Sequence, residues 1–157
     1  VGSNVLGKNN SIKRFVNNFN KLPDYLKKCI VIENDDKVFN VSDTLKISDM
    51  INVPIVLDYH HYKCNKSDID IKKIFNTWNI KPKLHFSSPK SKKNFRSHSD
   101  YINSDDFIEF IEFIKKYNTD VDIMLETKMK DEALFRLVRE LKYKTNYNFI
   151  DDTSFEI

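Results

Sequence analysis

Short apolar runs alternate with helical patterns along most of the sequence, and this alternation limits the possible folds more than any other feature. Four runs, each too short for a helix, are predicted strands: 29–32, 54–57, 83–86 and 121–125. Apolar residues at helical spacing predict helices around these runs: 11–29, 43–50, 68–78, 104–117 and 131–141. Ser42 is the expected N-cap of the second helix, because its hydroxyl can accept a hydrogen bond from a backbone N–H group.

The repeated strand–helix order is typical of parallel strands joined by right-handed helical crossovers. Both an open doubly wound sheet and a (β/α)8 barrel have this order. No glycine-rich turn of the kind that binds nucleotide phosphates follows any of the runs, which disfavours the nucleotide-binding open sheets. The sequence therefore predicts an α/β fold and no nucleotide cofactor.

Composition excludes several other classes of protein. The chain has 157 residues, the size of one domain, and its 2 cysteines are too few for a disulfide scaffold. No apolar run approaches the roughly 20 residues that a membrane span needs. No basic segment followed by an apolar one opens the chain, so we expect no targeting signal and a bacterial-type cytoplasmic or nucleoid-associated protein. The net charge of +3 permits a polyanionic partner.

Side chains that commonly bind metals lie at or just after the end of each predicted strand. They are Glu33, then Asp58 with His60 and His61, then His85, then Glu126. The fourth histidine, His98, lies in the long loop after the third strand. Because ligands bind at the carboxyl ends of strands in parallel α/β folds, we expect these side chains to form one site.

Imidazole and carboxylate groups together favour Mn²⁺ or Zn²⁺, and no thiolate is placed for a cysteine-rich structural zinc site. A single such residue is usually a helix cap or a packed side chain. Ligand-type residues at four strand ends indicate a metal site more strongly. Several carboxylates would allow more than one ion, and such a cluster can activate water and hold a phosphate oxygen for in-line displacement.

Lys83 precedes His85 by two residues, so both side chains project from the same face of the third strand. A lysine inside a barrel is costly to bury unless it is paired or chemically modified. The alternative is that Lys83, which follows Pro82, lies before the strand proper.

The long loop after the third strand is basic. It carries Lys90, Lys92, Lys93 and Arg96, with the aromatic residues Phe95 and Tyr101 interleaved. Basic and aromatic side chains together suit a nucleic-acid backbone with stacking contacts. An ordinary solvated loop is the alternative in a chain so rich in lysine.

Six segments resemble, in order, the motifs of the UV damage endonuclease family. They are Val-Gly-Ser at the start, Ile-Glu-Asn-Asp-Asp at 32–36, Leu-Asp-Tyr-His-His-Tyr-Lys-Cys-Asn at 57–65, Lys-Leu-His-Phe-Ser-Ser-Pro at 83–89, Arg-Ser-His-Ser-Asp-Tyr-Ile at 96–102 and Met-Leu-Glu-Thr-Lys-Met-Lys-Asp at 124–131. The resemblance covers nearly the whole chain, to about residue 141.

The resemblance implies a TIM-barrel repair enzyme that incises damaged double-stranded DNA 5′ to UV photoproducts, and often to abasic sites, with divalent metal, usually manganese. Residues that match the family's metal ligands are Glu33, Asp58, His61, His85, His98 and Glu126. Lys83 matches a lysine that can be carboxylated, and the expected catalytic residues are Lys83, Glu33, Asp58 and Glu126. The DNA-binding residues are expected to be Lys90, Lys92, Lys93, Arg96 and Tyr101. The role of His60, next to a ligand, stays open.

Members of the family are about twice as long as this chain, so we expect the C-terminal four βα units of a (β/α)8 barrel. Residues 1–144 would form this half-barrel, and residues 145–157 a polar tail. An endonuclease of this kind would be inactive or incomplete without its N-terminal half. The alternatives are another metal-dependent xylose isomerase-like barrel, such as a sugar isomerase or epimerase, and a non-catalytic remnant that needs a partner half.

Overall fold

The fold is taken from a computed structural model that describes residues 4–157. The Val-Gly-Ser motif at the start lies outside the described residues. The elements, in chain order, are α1 (Lys8–Asn20), α2 (Asp24–Lys27), β1 (Ile32–Glu33), α3 (Val41–Ile51), β2 (Ile55–Asp58), α4 (Tyr59–Cys64), α5 (Ile71–Phe75), β3 (Lys83–Phe86), α6 (Ser104–Lys115), β4 (Asp122–Leu125), α7 (Lys130–Lys144), β5 (Asn148–Phe149) and β6 (Phe155–Glu156).

The chain forms two compact units, and the division falls within β3 and within β4. Unit 1 contains the described residues up to Leu84 together with Asp120–Asp122. Unit 2 contains His85–Thr119 and Ile123–Ile157.

In unit 1, β1 and β2 are parallel, with Ile32 beside Ile55 and Glu33 beside Val56. All four residues of β2 are buried, as expected of a strand covered on both faces. Helices α3 and α5 supply apolar side chains to this core, among them the fully buried Ile47 and Ile74. The core therefore holds the carboxyl ends of β1 and β2 in a fixed register.

Helix α3 begins two residues earlier than an N-cap at Ser42 predicts. Asn40 is its N-cap: the Asn40 side chain accepts a hydrogen bond from the Asp43 N–H group, and the Asp43 carboxylate accepts one from the Asn40 N–H group. Ser42 lies inside the helix and donates its hydroxyl to the Asp68 carbonyl at 3.0 Å. The expectation for Ser42 is therefore wrong, because a reciprocal capping box satisfies two backbone groups where a serine would satisfy one.

Strands β3 and β4 are neighbours, and the residues that bond to each other are separated by the same number of positions at both ends of the pair. The N–H group of Asp122 donates to the Pro82 carbonyl and that of Glu126 to the Phe86 carbonyl, both at 2.9 Å. The residue numbers therefore rise together along the two strands, which means that the strands are parallel. The predicted α/β fold with parallel strands is therefore confirmed.

The core of unit 2 is aromatic. The ring of Phe86, on β3, stacks on Phe110 of α6 at 5.0 Å and meets Phe107 edge-on at 5.2 Å between ring centroids. The segment expected to be a polar tail contains the antiparallel β5–β6 hairpin. In this hairpin Phe155 stacks on Tyr147 at 5.0 Å and lies 6.5 Å from Phe107. The aromatic contacts explain why this polar sequence is ordered.

None of the helices within residues 4–157 combines the length and the apolar character that crossing a bilayer requires.

Replacing Phe110 by Ala is expected to lower the free energy of unfolding by about 3–5 kcal/mol, because it removes the fully buried ring that stacks on Phe86. Urea denaturation followed by circular dichroism measures the change. Phe135→Ala is the control, because Phe135 is 48% exposed. Equal losses in the two variants would contradict this description of the core.

Candidate metal-binding clusters

Unit 1 brings together Glu33, Asp58 and His61, which we call the unit-1 cluster. Glu33 ends β1, Asp58 ends β2, and His61 lies in the first turn of α4. The Nδ1 atom of His61 lies 3.2 Å from Glu33 Oε1 and 3.5 Å from Asp58 Oδ2. Two carboxylates and one imidazole thus converge from the ends of two adjacent strands, as the sequence predicts for these three residues.

Asp58 has two structural roles at once, because α4 follows β2 without a connecting loop. Its side chain is completely buried, and its Oδ1 atom accepts a hydrogen bond from the His61 N–H group at 2.7 Å. This is the N-cap contact of α4, which fixes one carboxylate oxygen in place. The Oδ2 atom of the same carboxylate is the one that approaches the His61 ring.

The carboxylates determine the charge of His61. Burial by itself would lower the pKa of the imidazole, but the hydrogen bond with Glu33 and the charge of Asp58 outweigh it and raise the pKa to about 9. His61 is therefore protonated at neutral pH in the metal-free chain. A cation bound to the His61 ring would displace one of the two protons of the imidazolium.

Unit 2 brings together His85, His98 and Glu126, which we call the unit-2 cluster. The Nδ1 atom of His85, on β3, lies 3.1 Å from Glu126 Oε1, and that of His98 lies 3.6 Å from Glu126 Oε2. His98 is held by backbone pairing within the long loop, where it forms a bridge with Pro89. Cross-loop hydrogen bonds lie on both sides of it, at 2.7 Å from Lys90 N to Ser97 O and 2.9 Å from Ser99 N to Ser88 O.

A cavity of about 490 Å³ opens at the unit-2 cluster. Its lining residues are Lys90, Ser97, His98, Glu126, Thr127 and Lys128. Of these, Lys90, His98 and Glu126 are site residues predicted from the sequence. Thr127 and Lys128 directly follow Glu126, and this position just after a strand-end carboxylate is the sequence feature from which they could have been predicted.

Both clusters have the chemistry of a divalent-cation site. The nearest ligand atoms of Glu33 and Asp58 lie within 4.8 Å of each other, and the same holds for His85 and Glu126. Such separations allow one ion to contact both atoms of a pair, since divalent transition metals bind oxygen and nitrogen at about 2.0–2.3 Å. Carboxylate oxygen with imidazole nitrogen suits Mn²⁺ and Zn²⁺. These residues therefore fit a metal.

His60 is not part of the unit-1 cluster, although it directly precedes His61 in the sequence. Its side chain is completely buried, and its Nε2 atom lies 3.8 Å from the Sγ atom of Cys64, one helical turn later. The rings of His60 and His61 are 6.3 Å apart. The helix thus directs only His61 to the carboxylates of the unit-1 cluster.

Lys83 forms an ion pair. Its ammonium group donates to the Asp122 carboxylate at the start of β4, and this hydrogen bond lowers the pKa of Asp122. The Lys83 side chain is 39% exposed, so its charge keeps contact with water and the lysine needs no modification to avoid the cost of burying a charge.

The basic residues of the long loop, Lys90, Lys92, Lys93 and Arg96, are exposed. Tyr101, the aromatic residue expected to contact DNA, is fixed within unit 2. Its hydroxyl donates to Glu132 Oε1 at 2.8 Å, and the Arg136 guanidinium lies 4.8 Å from the ring centroid. One face of the Tyr101 ring is therefore already covered by a cation.

The family model described as UV-endonuclease UvdE matches residues 1–156. The chain belongs to this family. It is 45% identical to the UV DNA damage endonuclease of Bacillus cereus strain G9842 and 43% identical to that of strain B4264, each over 148 residues, which is 90% of this chain and 47% of the relative. The resemblance inferred from the strand-end motifs is confirmed.

A solved structure agrees with this assignment. The crystal structure of SacUVDE matches the fold with a TM-score of 0.80 and 35% identity, over 90% of this chain and 49% of that chain. The chain spans about half the length of the relatives it matches. Membership of this family decides against the alternative of a sugar isomerase or epimerase.

Replacing Glu33 by Gln is expected to lower the pKa of His61 from about 9 by one unit or more, because the variant loses a negative charge 3.2 Å from Nδ1. NMR titration of the imidazole in the metal-free chain, with chelator present, measures the shift. Glu132→Gln, in unit 2, is the control. An unchanged His61 pKa in Glu33→Gln would contradict the geometry of the unit-1 cluster.

Proposed function

We propose that this chain forms the C-terminal four βα units of a (β/α)8-barrel endonuclease that incises DNA 5′ to UV photoproducts. The observation that carries the proposal is the pair of carboxylate–histidine clusters at strand ends in a chain of the UvdE family. The relatives, which carry the name UV DNA damage endonuclease, are about twice as long. The remaining four units would come from an N-terminal half.

We propose that both clusters bind divalent metal, with manganese preferred and more than one ion bound. The ligands would be Glu33, Asp58, His61, His85, His98 and Glu126. Divalent metal, when bound, polarises a phosphate oxygen and lowers the pKa of a coordinated water. Asp58 and Glu126 hold fixed positions because the first caps α4 and the second follows β4, whose backbone bonds to β3.

The basic loop would bind the DNA backbone. Lys90, Lys92, Lys93 and Arg96 are exposed and close in sequence to His98, and their charges suit phosphates. Tyr101 would contribute to this surface from a fixed position, because Glu132 and Arg136 hold its hydroxyl and one face of its ring. Lesion binding would exploit the weakened stacking and pairing at a photoproduct.

Lys83 would have a catalytic role, and its carboxylation would need a nearby cation. A carbamate on Nζ would bring a negative charge to the Asp122 carboxylate, which Lys83 now contacts as a cation. The modification would thus turn an attraction into a repulsion, and a bound metal would offset it. The activity would take place in the bacterial cytoplasm or at the nucleoid.

The test is nicking of UV-irradiated supercoiled plasmid with Mn²⁺ by this chain mixed with the N-terminal half of the Bacillus cereus relative. Glu126→Gln is expected to reduce nicking about 100-fold or more, since even the loss of a partner of a metal ligand costs about 10- to 100-fold. Glu112→Gln is the matched control, because Glu112 pairs with Lys115 on an exposed helix face. Irradiated plasmid left intact by the mixture would instead favour a non-catalytic remnant.

Replacing Lys90, Lys92, Lys93 and Arg96 together by Gln is expected to weaken binding to a 30-base-pair duplex and to reduce the slope of log K against log salt by about 3 to 4. The control replaces Lys13, Lys21, Lys27 and Lys28, a change of equal charge in unit 1. Fluorescence anisotropy at several salt concentrations measures both. Equal slopes in the two variants would show that the loop has no special part in binding DNA.

A further inference from the structure

Asn34 is a buried polar residue whose contacts the metal-binding clusters do not explain. It follows Glu33 at the end of β1, and only 1% of it is exposed. Its side-chain Nδ2 donates to the Asp58 carbonyl at 3.0 Å, and its Oδ1 accepts from the Asp58 N–H group, also at 3.0 Å. The amide therefore binds both backbone groups of one residue.

This arrangement continues the β1–β2 pairing past the end of β1. The backbone register pairs Ile32 with Ile55 and Glu33 with Val56. Beyond Glu33 the backbone leaves the strand, and the Asn34 side chain takes over the role of a peptide group beside Asp58. The Asn34 side chain thus gives a hydrogen-bond partner to both the buried N–H group and the buried carbonyl of Asp58.

The backbone carbonyl of Asn34 has a separate contact. It accepts a hydrogen bond from the Nδ1 atom of His61 at 3.0 Å. Asn34 therefore follows Glu33 along the chain, binds the backbone of Asp58 through its side chain and contacts the ring of His61 through its carbonyl. These are the three members of the unit-1 cluster.

We propose that Asn34 is a positioning residue that sets the relative placement of Glu33, Asp58 and His61 for metal binding. The inference rests on the proposed metal binding by these residues. Partners that orient metal ligands contribute strongly to affinity, and their loss typically costs about 10- to 100-fold. Asn34 contacts no reacting group and acts through the ligands alone.

A comparison with Ser48 distinguishes positioning of the ligands from the general stabilising effect of a buried hydrogen bond. Ser48 is a buried polar residue of the same unit, and its hydroxyl donates to the Val53 carbonyl at 2.7 Å, away from the three ligands. Removing either side chain leaves a buried backbone group without its partner, so both changes cost stability. Only the loss of the Asn34 side chain releases the backbone of Asp58, a residue of the unit-1 cluster.

The experiment compares Asn34→Leu, which keeps the number and branching of the side-chain heavy atoms, with Ser48→Ala in the 157-residue chain. Isothermal titration with MnCl₂ is expected to show affinity about 10- to 100-fold lower in Asn34→Leu and within about twofold of the parent in Ser48→Ala. Asn34→Gln keeps the amide on a longer arm and is expected to weaken binding as well. It serves in place of Asn34→Leu if that variant does not fold.

Hydrogen exchange in the metal-free chain separates this proposal from the proposed function. The Asp58 amide is expected to lose protection in Asn34→Leu and to keep it in Ser48→Ala. A parent chain that binds no Mn²⁺ would refute the metal-binding function, and a protected Asp58 amide in Asn34→Leu would refute the positioning role independently. Parent-like Mn²⁺ affinity in both Asn34 variants, or an equal loss in Ser48→Ala, would also overturn the role of Asn34.

Discussion

The completely buried carboxylate of Asp58 is the constraint on which the unit-1 cluster depends. A buried negative charge is costly unless hydrogen bonds and opposite charge compensate it. Here the N–H group of His61 satisfies one oxygen as the cap of α4, while the protonated His61 ring brings positive charge near the other. Asp58 is thus at once the end of β2, the N-cap of α4 and a candidate metal ligand.

Unit 2 repeats the same chemistry with different supports. Glu126 follows β4 and lies near two histidines, one on β3 and one in the long loop. The loop holds His98 by backbone pairing with Pro89, where unit 1 uses a helix cap to place His61. In both units a carboxylate at a strand end lies beside at least one imidazole, a combination of donors that suits a divalent transition metal.

The sequence predicts the features that follow from position along the chain. Glu33, Asp58, His85 and Glu126 were found because each lies at or just after the end of an apolar run, and parallel strands place such ends at one edge. Contacts between distant segments were not predictable in this way. The Asn34 amide beside Asp58 depends on the register of β1 and β2, and the Lys83–Asp122 pair depends on which strands are neighbours. The C-terminal hairpin was missed because its aromatic residues are separated by polar ones.

The central claim is that the two clusters bind divalent metal. Crystals of the chain grown with MnCl₂ and measured at the manganese absorption edge would test it most directly. We expect anomalous peaks at both clusters, with ligands drawn from Glu33, Asp58 and His61 in unit 1 and from His85, His98 and Glu126 in unit 2. Anomalous peaks only at other residues, or no peak at either cluster with excess Mn²⁺, would contradict it.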